Sequence, residues 1–103
     1  MEQRRARRFD LKLPFELIRR GSQSLSQHGE TQNLSSMGVL FQAPTNNLRV
    51  GEPVEYIITL PTTPGSDEQV RLHCLGKVVR HARETGIVAT LERYEFVRLA
   101  KMM

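Results

Sequence analysis

The chain has 103 residues and a mass of 11.8 kDa, about one domain, which argues against a multidomain enzyme. With 39% hydrophobic and 25% charged residues it lies in the globular range, so one modest core is expected rather than disorder. The net charge of +4 is uneven: residues 1–8 hold four arginines and one glutamate, while the remainder balances to within one charge, unlike the uniformly basic surface of a non-specific nucleic-acid binder.

No apolar run approaches the ~18 residues of a membrane span, and the N-terminus lacks the apolar stretch of a secretory signal. A soluble, cytoplasmic protein without membrane insertion is the expectation. Cys74 is the single cysteine, which excludes an internal disulfide and any multi-cysteine metal site. It sits in an apolar run and reads as a packed thiol.

After the Arg-rich arm, Phe9, Leu11, Leu13, Phe15 and Leu17 are apolar at every odd position, which predicts a strand with one buried face. Pro14 lacks an amide hydrogen, so this strand is expected to be an edge or to bulge nearby. The polar stretch from Gln23 to Gln32 reads as a hairpin or a loose strand with a turn at His28-Gly29. Alternation returns at Met37, Val39, Phe41 and Ala43, then at Val54, Tyr56, Ile58 and Leu60. It continues at Val70, Leu72, Cys74, Gly76 and Val78, with Gly76 a candidate bulge, and at Ile87, Ala89 and Leu91. Tyr94, Val97 and Leu99 with interleaved charges predict a short C-terminal helix over 92–103. About six short strands joined by Gly, Pro and Asn turns, with no βαβ alternation, indicate an all-β antiparallel barrel or sandwich. The expected layout is one domain: an arm at 1–8, a barrel at 9–91 and a helix at 92–103.

Catalytic chemistry has no visible constellation. His28, His73 and His81 lack neighbours at metal-ligand spacing, and neither a phosphate-binding Gly-rich loop nor a GxSxG elbow is present. No enzyme activity, metal or cofactor is expected. Two patterns remain. Arg4 and Arg8 form Arg-x-x-x-Arg, which a shuffled chain of this composition yields about 1.3 times. Asn33-Leu34-Ser35-Ser36-Met37-Gly38 forms Asn/Asp-x-Ser-x-x-Gly before a strand, expected only about 0.02 times.

The two patterns in this order, about 25 residues apart, resemble the PilZ domain, a bacterial receptor module for cyclic di-GMP. The first strand Arg8–Phe15, the Gly51-Glu52-Pro53-Val54 entry, the Gly76–Arg80 strand and Gly86–Tyr94 also look similar, so the resemblance spans the chain. It implies a six-stranded antiparallel β-barrel with an attached helix. It also implies that Arg4 and Arg8 clamp the ligand, with Arg5 or Arg7 available for further phosphate contacts.

Guanidinium forks suit both the phosphates and the guanine O6/N7 edge. The guanine N–H edge needs acceptors, a role that falls to Asn33 with Ser35 beside it, while Gly38 lets ligand or adjacent backbone come close. The family often has Asp where Asn33 stands; Asn is an accepted variant. The resemblance implies a second-messenger receptor in signal transduction. The arm would become ordered on binding and be read by an unidentified downstream protein, with the protein itself a monomer or weak dimer. Two other readings stand beside it: a PilZ-like adaptor that does not bind nucleotide, and a barrel for single-stranded nucleic acid. The second is disfavoured because Phe9, Phe15, Phe41 and Tyr56 fall on expected buried faces rather than on a stacking platform.

Overall fold

The computed structural model describes residues 9–42, 48–62, 64–65, 68–82 and 86–100. The expected arm therefore lies outside the described residues. Seven strands follow one another: β1 (Pro14–Arg20), β2 (Gln23–Leu34), β3 (Gly38–Gln42), β4 (Pro53–Thr59), β5 (Glu68–Ala82), β6 (Gly86–Thr90) and β7 (Arg93–Ala100). All pairings are antiparallel. The order β4-β1-β2-β3-β6-β5 closes through β4–β5 into a six-stranded barrel, and β7 adds a seventh strand beside β5.

No helix occurs among the described residues, which corrects the C-terminal helix expected over 92–103. Residues 93–100 instead pair with the first half of β5, from Leu75↔Arg93 to Glu68↔Ala100. The reason lies in β5 itself. Its 15 residues outrun β6, which pairs only with Val78–Ala82, so the backbone groups of Glu68–Leu75 on that edge need another partner. The chain leaving β6 through Leu91 and Glu92 already runs antiparallel beside that edge. A strand completes the ladder, whereas a helix would leave it open.

The period-2 faces place the core largely as expected. Phe15, Leu17, Val39, Phe41, Val54, Tyr56, Ile58, Leu72, Cys74, Val78, Ile87 and Ala89 are buried together. At the centre Phe15 stacks on Phe41 with centroids 4.0 Å apart and on Tyr56 at 5.3 Å. The Tyr56 hydroxyl donates to the Thr90 carbonyl at 2.9 Å. Burial pushes the Tyr56 phenol upward, and pushes the Cys74 thiol up to about 12, so Cys74 is the packed thiol its context implied.

Four local expectations change. Phe9 and Leu11 are exposed rather than buried, because β1 begins only at Pro14. Pro14 opens a strand paired on both sides, so β1 is no edge; its register shift falls at Ile18. Gln23–Leu34 is one continuous strand, with His28 and Gly29 in ladder register and no turn between them. Gly76 is regular rather than bulged: it pairs with Val54, and a Cβ there would collide with the Thr90 carbonyl, so the missing side chain admits the end of β6. The bulge in β5 is at Val79, between Val78 and Arg80.

Candidate functional site

The Asn33–Gly38 segment is the turn between β2 and β3. Its serine holds it together: the Ser35 amide donates to the Gly38 carbonyl at 3.0 Å, and the Met37 amide donates to Ser35 Oγ at 3.1 Å. The Ser35 hydroxyl thus accepts within the turn and keeps its hydrogen to donate elsewhere. At Gly38 the structure shows the close approach of adjacent backbone. A Cβ on it would lie 2.5 Å from the Ala89 carbonyl oxygen, so the glycine serves close approach of adjacent backbone.

Two bulges shape the wall on either side. One at Gln32 shifts the register of β2 against β3, and one at Val79 shifts β5 against β6. An extra residue re-aims the side chains that follow it. Beyond both bulges, cross-strand partners line up as a single outward row: Asn33 opposite Leu40, Leu40 opposite Val88, and Val88 opposite Arg80. Four strands wide, this row spans about 14 Å of backbone.

A depression of about 180 Å³ lies along this row, lined by Asn33, Ser35, Gly38, Leu40, Val88 and Arg80. Leu40 and Val88 make a half-buried aliphatic floor, Asn33 stands at one end, and exposed Arg80 at the other. Neither the Asn33 carboxamide nor the Arg80 guanidinium has a partner among the described residues. Sequence reasoning missed Arg80, Leu40 and Val88. Only the barrel's strand order puts residues 33, 40, 80 and 88 side by side.

A larger groove of about 660 Å³ lies along β5 and β7, but three carboxylates, Glu55, Glu92 and Glu95, line it against one arginine, Arg93. That charge disfavours an anionic ligand, so size does not identify the site. Among the described residues no three His, Cys, Asp or Glu side chains come together as a metal site. No helix there is long and apolar enough to cross a membrane.

Arg4, Arg5 and Arg8 lie outside the described residues, but the point where the arm joins the body does not. Phe9 and Leu34 form an isolated antiparallel bridge, with both amides donating across it at 2.9 Å. Between them and β1, the Thr31 hydroxyl accepts from the Leu13 amide at 2.9 Å and donates to the Leu11 carbonyl at 2.6 Å. The segment leading out of the arm is therefore fastened along the end of β2. Arg8 is bonded to Phe9, and Asn33 to Leu34, so the bridge joins the neighbours of both sequence patterns.

No curated protein and no solved structure matches the chain. Among models of known families, the PilZ domain matches residues 2–100, which covers both patterns and all seven strands. The chain belongs to the PilZ domain family, whose members are binding or adaptor modules rather than enzymes.

Proposed function

We propose that this domain binds cyclic di-GMP on the outer row of β2, β3, β6 and β5 and presents the bound state to a partner protein in the bacterial cytoplasm. The observation that carries this reading is the Phe9–Leu34 bridge, because it fixes the root of the arm beside Asn33. From Phe9, a fully extended chain reaches Arg4 within about 17 Å, comparable with the width of the row. The arm arginines Arg4, Arg5 and Arg8 then supply phosphate and guanine-edge donors over a ligand lying on the barrel.

The aliphatic pair Leu40 and Val88 offers a flat floor to a purine face, and the Asn33 carbonyl offers an acceptor to guanine N–H groups. Arg80 adds a cation with no partner among the described residues at the far end, suited to a phosphate or to the O6/N7 edge. No bond is made or broken in this role, and no cofactor enters it. The output is the changed surface where the arm meets β2.

The test is calorimetric titration with cyclic di-GMP, GMP and GTP. Selective heat with cyclic di-GMP is expected. Arg8→Ala, Ser35→Ala and Arg80→Ala should each weaken binding, Arg80→Ala by about tenfold, with Arg8→Ala and Arg80→Ala leaving the melting temperature unchanged. No heat at tens of micromolar protein would refute the proposal.

A second reading, an adaptor that does not bind nucleotide, is favoured by one observation. Ser35 and Gly38 both have structural tasks, in the turn and against Ala89, which would retain them without any ligand. The same titration separates the two.

A further inference from the structure

β7 presents an unusual combination of features. Tyr94 pairs with Cys74 and Phe96 with Leu72, so the two aromatics share the face of β5 that lines the core. Yet they are 57% and 59% exposed, because β7 stands outside the closed barrel. They pack edge to face on each other at 5.9 Å. Among the described residues β7 pairs only with β5, which leaves its other edge with no ladder partner. A free edge carrying exposed aromatics is a template for an added strand.

The sequence of β7 restricts what that strand is. Two copies of one strand that pair antiparallel are related by a twofold axis perpendicular to the sheet, and this axis must pass through one residue so that each face meets itself. Centred on Glu95, the pairing opposes like charges. Centred on Val97, it puts Phe96 against Arg98 and leaves Glu95 against Leu99. Centred on Phe96, the pairing sets Phe96 against Phe96 and Tyr94 against Arg98, twice over, on one continuous face. Arg98 is well placed for this: it shares the aromatic face, and its side chain is 68% exposed while one nitrogen meets Glu68 at 3.3 Å. A guanidinium over a tyrosine ring is attracted by the ring's quadrupole.

We infer that β7 is the self-association edge of this domain, pairing antiparallel with β7 of a second copy about Phe96, so that two barrels share one continuous sheet. The contact lies outside the Asn33–Arg80 row and needs no nucleotide, so it stands or falls independently of the proposed ligand.

Sedimentation of the full chain without nucleotide tests it. A dimer is expected at tens of micromolar, and Phe96→Lys should weaken it at least about tenfold while leaving the circular dichroism spectrum unchanged. Register is read by crosslinking. Directly opposed residues in an antiparallel pair have Cα atoms about 4.5–5.5 Å apart, within disulfide range. Phe96→Cys should therefore form a covalent dimer on mild oxidation, and Leu99→Cys, remote from its own copy, should not. The native thiol of Cys74 is buried and does not compete. A monomer at hundreds of micromolar, a dimer indifferent to Phe96→Lys, or crosslinking through Leu99→Cys instead of Phe96→Cys would overturn the inference.

Discussion

Two outward rows run round opposite halves of the barrel, built on the same alternation but with opposite chemistry. The first is Asn33, Leu40, Val88 and Arg80. The second crosses β2, β1, β4, β5 and β7 as His28, Glu16, Ile57, His73 and Glu95. Beside the second row, Arg19 is tied to Glu55 at 3.2 Å, and nearby Arg20 is tied to Glu52 at 2.9 Å. Lys77 meets Glu92 at 3.8 Å. These three cations of that half meet carboxylates of their own wall, whereas Arg80 has no carboxylate partner among the described residues. The number of basic residues therefore says little about where an anion binds. What matters is which of them the fold leaves unpaired.

The contrast is broken most completely by removing what both rows rest on. Phe41 lies beneath Leu40 in β3 and stacks on Phe15, which lies beside Glu16 in β1. Phe41→Ala should cost about 3–5 kcal/mol in urea unfolding, a large share of a small domain's stability, and should abolish nucleotide binding and self-association together.

A smaller change sharpens the contrast. Thr31→Val keeps the shape of a buried side chain but strands the Leu13 amide and the Leu11 carbonyl, at a cost of about 1–3 kcal/mol. Titration below its melting temperature should show weakened cyclic di-GMP binding with dimerisation through β7 intact.

The smallest effect belongs to the other half. The Arg20 fork, with a lesser share from the Arg49 amide, holds the Glu52 carboxyl below its ordinary value of 4.5. A carboxyl depressed in the folded state adds stability that is present above that value and is lost as pH falls through the lower folded one. Glu52→Gln should therefore lower the unfolding free energy from urea titration at pH 7, by no more than about 1 kcal/mol, and the difference from wild type should vanish under acid.

Most of the barrel was legible because its strands bury one face. Phe15 and Leu17, Val54 to Ile58, and Leu72 to Val78 each declare their side by period two. The ends of the ladder were not. The first half of β2 carries Gln, Ser and His around a single leucine on a largely exposed ribbon, so backbone pairing with β1 defines it and no apolar pattern records it. β7 was misread for the same reason: with Tyr94 and Phe96 exposed, the 94–97 spacing imitates a helix although the open edge of β5 decides the outcome.

Of the site, Asn33, Ser35 and Gly38 stand close in sequence and form one turn, which local chemistry can announce. Arg80 joins them only through three strand pairings and two bulges, which no local pattern encodes.

The fastening of Phe9 to Leu34, and of Leu11 and Leu13 to Thr31, has a consequence for affinity. Under the proposed function, arginines a few residues from a fixed post act there at an effective concentration in the millimolar range. On that proposal, arginines that would bind a dinucleotide feebly as free molecules gain an advantage at Asn33. The proposed clamp would then owe its strength to the knot at β2 as much as to the arginines.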